Sequence, residues 1–431
     1  MTTSRHSPIR LPAGAHGLFA LLILYGGCGG PETVFRFHAV YLKRQEATAR
    51  SELTPQQKQD IVEVLAALFG TPDDPHVPPL PDREFDRLLP IDKLRIAAGP
   101  ISSDQQGRNR GVYRANCAPC HGTTGDGAGP TAVLLEPYPR DFRSGVFKFK
   151  STPSKTPPTD ENLLRDLQNG MPGSAMPSFR LLNEGDLDAL VPYVKYLSIR
   201  GEVERALIVD SVDRLDRTER LGPWNLSLRD LEPAALLEQV AGLQPILVDV
   251  AQQWLNAPQQ ITEVPPPPMN WDLAASVVKG RELFLGNVAN CVKCHGETAR
   301  GDGQTNDYDD WTKEYLDPQN PTSADPYVAL GALPPVPIRP RNLRRGVFRG
   351  GSRPADLYLR VHNGIAGTPM PAASLKPAGA GPEDKRLTAE DLWHLVDYVR
   401  QLSEENASQL ALGAGPQEKC VLAYSPVPWF Q

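Results

Sequence analysis

"CAPCHG" at residues 117–122 returns with two changes as "CVKCHG" at residues 291–296. In each, two cysteines stand three positions apart and a histidine follows the second at once. This C-x-x-C-H spacing lets two thiols form thioether bonds with the two vinyl groups of a porphyrin, and it holds the adjacent histidine beneath the iron. Two other readings use the same thiols. Zinc would want four ligands in one closed site, which the two cysteine pairs could supply without either histidine. A redox-active disulfide would sit beside a βαβ pattern, and the chain shows none. Coincidence does not produce two such motifs in register with a longer repeat, so one covalent haem is expected at Cys117, Cys120 and His121 and another at Cys291, Cys294 and His295.

The repeat extends well beyond the cysteines. "YPRDFRSGVFKFK" (138–150) matches "RPRNLRRGVFRGG" (339–351), "NGMPGSAMPS" (169–178) matches "NGIAGTPMPA" (363–372), and "DLDALVPYVKYLS" (186–198) matches "DLWHLVDYVRQLS" (391–403). The blocks keep their order, which predicts two copies of one domain over 106–200 and 271–405, the second lengthened by an insert near 305–335. Each copy closes on an amphipathic helix. Leu187, Leu190, Val191, Val194 and Leu197 share one face, and Leu392, Leu395, Val396, Val399 and Leu402 repeat it. Pro192 is expected to kink the first of these or to displace its start. Helices are also expected at Gln105 to Asn116 and Ala274 to Leu285, ahead of the two motifs.

With 431 residues and 47.2 kDa, two or three domains of about 150 residues are expected. The 44 prolines suggest extended connections and little sheet. A net charge of −6 with no dense basic run excludes nucleic-acid binding from the expected functions. Acid concentrates in 201–270, read as a solvated linker with a helical stretch over Leu231 to Asn256 and a stiff "PPPP" at 265–268. A helix over Pro55 to Phe69, N-capped by Thr54, belongs to a region (29–105) with no assigned role, and 406–431, with Cys420, forms a tail.

The start, "MTTSRHSPIRLPAGAHGLFALLILYGGCGGPE", places Arg5 and Arg10 before a short apolar run. That is the layout of an export signal over 1–28, and the run is far shorter than the roughly 20 apolar residues that cross a bilayer. The stretch resembles bacterial lipoprotein signals, which implies lipidation at Cys28 after Gly26 and Gly27; Tyr25 stands where such signals usually have Leu. A plain cleaved signal and an uncleaved anchor are the alternatives. Export to the periplasmic side of the membrane is expected in each case.

With "CAPCHGTTGDGAGP", "CVKCHGETARGDG", the later Met-Pro pairs and the terminal helices ending in "YV" and "LS", both copies resemble class I cytochrome c domains. The resemblance implies an all-α chain of two tandem cytochrome c domains, each with histidine on one side of its haem and a loop methionine on the other. Met171 aligns with Ile365, which cannot bind iron, whereas Met176 aligns with Met370, so Met176 and Met370 are the expected sixth ligands. His362 competes with Met370 but precedes its loop. His38, His76 and His394 read as ordinary histidines. In such domains a proline after the motif commonly holds the histidine by its carbonyl; Pro130 fits that place, and the second copy has Gln304 there. In the repeated P-R-x-x-R, Arg140 and Arg341 are expected to pair with haem propionates, each guanidinium fork matching a carboxylate.

An iron with both axial positions filled exchanges electrons without binding oxygen species. The expected function is a dihaem electron carrier rather than an enzyme. Its expected partners are a quinol-oxidising complex or dehydrogenase on one side and a terminal oxidase or soluble cytochrome on the other, with the N-terminal anchor at the membrane. The alternatives are an electron-transfer subunit of a larger complex and a dihaem peroxidase, in which the 305–335 insert would build over the second haem.

Overall fold

The computed structural model describes residues 33–80, 82–103, 109–216, 218, 219, 231, 233–268, 271–377, 379–381 and 383–413. The export signal with Cys28 and, of the expected tail, residues 414–431 with Cys420 lie outside the described residues, while 406–413 continue the helix Ala389–Gly413. Among the described residues no helix is long and apolar enough to cross a membrane.

Among the described residues the protein is all-α apart from the two-residue strands Ser102–Ser103 and Asn109–Arg110, paired antiparallel, and isolated bridges. The described chain opens with α1 (Ala39–Ala49), α2 (Pro55–Phe69), α3 (Glu84–Leu88) and α4 (Ile91–Ala97). The first domain holds α5 (Val112–Asn116), α6 (Ala118–His121), α7 (Asp160–Asn169) and α8 (Glu184–Arg214), and α9 (Pro233–Gln239) and α10 (Gln244–Leu255) follow. The second holds α11 (Leu273–Leu285) and α12 (Val292–His295), then α13 (Asp310–Lys313) and α14 (Asp325–Val328) in its insert, then α15 (Pro354–Asn363) and α16 (Ala389–Gly413).

Local chemistry sets the starts. At α2 the Thr54 hydroxyl accepts from Gln57 N at 3.2 Å while Gln57 Oε1 accepts from Thr54 N at 2.9 Å, a reciprocal cap on the helix and its N-cap residue. Thr159 and Asn162 do the same for α7, and Asn183 caps α8 by accepting from Asp186 N. Pro192 does not displace the start of α8, which begins at Glu184 and continues through it.

Three sequence expectations change. First, the helix expected over Gln105 to Asn116 is reduced to α5, because Gly111 turns the chain at φ +73° immediately before Val112; residues 105–108 lie outside the described residues. Second, no break falls near residue 200: α8 continues to Arg214, and α10 packs on α8 and α3. Trp254 Nε1 donates to Glu202 Oε2 at 2.7 Å and Gln252 Nε2 to Glu84 Oε1 at 3.1 Å, so the expected linker is mostly part of the first domain. Third, residues 34–98 are no separate region, since α1, α2 and α4 pack along α8 and share one core with it, from Leu42 and Phe69 through Tyr193, Tyr196 and Leu207 to Trp254. Buried polar groups in that layer pair across it: Tyr193 donates to Pro72 O, Tyr196 to Phe69 O, and Glu204 accepts from both His38 N and Arg200.

The second domain has a smaller core built on the crossing of α11 with α16. Gly280 makes that crossing possible, since a Cβ there would collide with the carbonyl of His394. The "PPPP" stretch is extended, and Pro265 O accepts from Trp393 Nε1 at 3.2 Å, pinning the chain to the second domain as it enters.

Candidate haem sites

The two C-x-x-C-H motifs form one helical turn each, α6 and α12, and the histidine ends the turn in both. No disulfide joins Cys117, Cys120, Cys291 or Cys294. Burial raises Cys117 to about 12 and Cys291 to about 11, so neither is the low-pKa thiolate that disulfide exchange needs. Among the described residues no group of three or more His, Cys, Asp or Glu side chains gathers as a metal cage, so the two cysteine pairs do not meet in one closed zinc site.

Both histidines are oriented by the same device. His121 Nδ1 lies 2.9 Å from Arg140 O, and His295 Nδ1 lies 3.1 Å from Arg341 O. Here the sequence reading needs correction: the carbonyl comes from the arginine of the repeated P-R-x-x-R, not from Pro130, so the Gln304 substitution takes nothing from His295. Each imidazole thus uses Nδ1 on a backbone acceptor and keeps Nε2 for another ligand. Burial lowers the pKa of His121 and His295 and favours the neutral rings that bind metals. Phe142 stacks on His121 at 4.6 Å between centroids; Leu343 holds the corresponding place by sequence, and Phe284 lies 6.3 Å from His295.

The methionine loops match bond for bond. Met171 N donates to Met176 O at 3.1 Å and Ile365 N to Met370 O at 3.0 Å; Ser174 and Thr368 each donate to the loop's first carbonyl at 2.7 Å and accept from the methionine N at 3.3 Å. The repeat N-G-x-x-G-[ST]-x-M-P is therefore a fold instruction for this turn. Met176 packs on the apolar core of its domain, which favours it over Met171. His362 is occupied with its neighbour Asn363, whose Oδ1 lies 2.8 Å from His362 Nδ1. His394 meets Ser276 at 3.0 Å and stacks on Trp271, His76 sits beside Asp74, and burial keeps His38 neutral.

The arginines do not stand free as expected. Arg140 lies over Trp311 at 4.4 Å, and burial lowers it to about 10 against the opposing pull of Asp309. Arg341 Nη2 donates to Val347 O at 2.9 Å while its buried Nε has no partner. A cation that sequence reasoning passed over is Lys150. It is buried and donates to Thr152 O and Oγ1, Thr156 O and Pro153 O, with no carboxylate among its partners. Burial takes it down to about 8. Paired thiols, a histidine with a free Nε2, a methionine turn and, in the second domain, the unpartnered buried Nε of Arg341 fit haem, which carries two carboxylates of its own.

The insert does not build over the second site alone. Its Trp311 also faces Lys148 at 5.3 Å, Glu314 pairs with Arg44 at 2.7 Å, and Pro334 O accepts from Tyr138 at 3.1 Å, all in the first domain or its N-terminal layer. Asn363 adds bonds to Ser151 O and Thr152 O and accepts from Thr262.

Tandem all-α domains built on a C-x-x-C-H turn and a methionine loop define a c-type cytochrome. The family model "Cytochrome c" matches residues 109–198 and 277–403, half of the chain, and the chain belongs to that family. Among solved structures it is similar to a chain of the Kuenenia stuttgartiensis reducing HAO-like protein complex, with 25% identity over 70% of this chain and 98% of that one and a TM-score of 0.43. No curated protein matches it.

Proposed function

We propose that the protein is an electron carrier with two covalently bound haems, one held by Cys117, Cys120, His121 and Met176 and the other by Cys291, Cys294, His295 and Met370. The observation that carries this reading is the equality of the two sites: the same carbonyl on Nδ1 and the same hydrogen-bonded methionine turn. Haem bound there supplies one-electron redox chemistry. Met176 and Met370 would complete the ligand sets begun by His121 and His295 and would leave peroxide no place to bind, which puts a dihaem peroxidase behind the carrier reading. Arg341 Nε, buried without a partner, serves as a propionate partner in the second domain; Arg140 is already held by Trp311.

The setting follows from the N-terminus. Export, with Cys28 as lipid anchor, puts the carrier on the periplasmic side, where a quinol-oxidising complex or dehydrogenase reduces it and a terminal oxidase or soluble cytochrome oxidises it. A lasting place in a larger oxidoreductase complex is the second reading. An anaerobic reductive titration of the purified protein should take up two electrons per chain, with no turnover of added hydrogen peroxide. Uptake of one electron, or steady peroxide consumption, contradicts the carrier reading.

A further inference from the structure

The methionine loop of each domain packs against the other domain, and the arrangement is reciprocal. Gly173 lies in the loop of Met176, and a Cβ there would come within 2.7 Å of Arg341 Nη2 and 3.2 Å of Val347 Cγ1. Gly367 lies in the loop of Met370, and a Cβ there would come within 2.5 Å of Trp311 Cζ3 and 3.2 Å of Val146 Cγ1. Gly173 and Gly367 are equivalent in the repeat, as are Val146 and Val347, so each glycine lets the opposite domain's loop approach. Arg349 Nη2 adds a bond to Gly173 O at 3.0 Å.

The residues at these contacts are tied to the proximal histidines. Arg341 holds His295 by its carbonyl and reaches the Met176 loop with its guanidinium. Arg140 holds His121 by its carbonyl and lays its guanidinium on Trp311, whose ring abuts the Met370 loop. One bridge is direct and the other passes through a tryptophan that only the second domain's insert provides. Each links the fifth ligand of one site to the sixth-ligand loop of the other.

We propose that Arg341, and Arg140 acting through Trp311, are positioning residues that couple the two haem sites, so that the redox state of one shifts the equilibrium of the other. This rests on the two-haem, methionine-ligated reading above. A close-packed contact passes a displacement on rather than absorbing it, and the acceptor on Nδ1 tunes how basic the histidine is. A change at His295 therefore moves Arg341 against the Met176 loop, and a change at the Met370 loop moves Trp311 against Arg140.

The test uses purified holoprotein with its two haems counted, and follows the far-red methionine–iron band and the potential of each haem. A Met370→His variant marks which signals belong to the second site. Arg341→Leu should weaken the Met176 band and shift the first site's redox equilibrium about tenfold, about 59 mV for one electron. A residue that only paired with its own domain's propionate would move the second site alone. Trp311→Leu should shift both sites, and Trp311→Phe, which keeps a ring beneath Arg140, should restore most of the change. Should Trp311→Leu fail to take up both haems, Arg341→Lys carries the test, since it keeps the charge and loses the fork. Two-haem variants with an unchanged opposite site overturn the coupling alone. An unaltered protein that lacks two haems or a methionine band removes the underlying reading, and the coupling falls with it.

Discussion

The two cytochrome c domains share a site and differ in nearly everything that supports it. The first is wrapped: α1, α2 and α4 lie along a 31-residue α8, α10 closes another side, and one core runs through all of them. The second rests on α16 packed against α11 and α15, with a smaller core. Yet the carbonyl on the histidine and the methionine turn are the same in both. The site is thus specified by short loops, and the scaffold is free to vary. In the first domain α4 packs on α8, while the helix before the motif shrinks to five residues.

The largest expected effect comes from removing an attachment. Replacing Cys291 and Cys294 by alanine should cost one haem by mass spectrometry and leave α11 and α16 open to hydrogen exchange. The same change at Cys117 and Cys120 should also cost one haem while α2 and α8 stay protected by their larger core. Equal loss of protection in both would break the contrast. Next, Gly280→Val forces a side chain into the α11–α16 crossing and should destabilise the second domain by about 3 kcal/mol in chemical denaturation, with the first domain's transition unmoved.

A pH effect comes third. Burial, then Arg140, pushes Lys148 down to about 7. Its folded pKa lies below its unfolded one, so the unfolded chain binds the extra proton between about 7 and 10.5, and stability should rise with pH across that window. Lys148→Met should flatten the rise measured by denaturation at pH 7 and pH 9. The smallest effect is at the first domain's outer layer. Thr54→Ala removes the α2 cap and should cost about 1 kcal/mol there, leaving the second domain's unfolding unchanged.

Much of this was legible in the sequence because it is local. The Thr54 cap fixed α2 to the residue, Pro55–Phe69, and the apolar spacing located α8 and α16. The alignment of Met171 with Ile365 separated the two methionine candidates before any packing was known. What was not legible depends on contacts between distant residues. That Arg140 and Arg341 act through their carbonyls could not be read from side-chain chemistry, though the repeat of P-R-x-x-R was the signal. The composition of 201–270 suggested a linker, because charge says nothing of where Trp254 finds Glu202. Lys150 was missed because the second copy has Gly351 in its place, and attention fell on what repeats.

The most direct measurement is the far-red absorption band from methionine sulfur to ferric iron, quantified per haem on the purified oxidised protein. Two haems' worth of intensity is expected, falling by half in Met370→Ala or Met176→Ala. One haem's worth in the unaltered protein, or none, would contradict equal methionine-ligated sites.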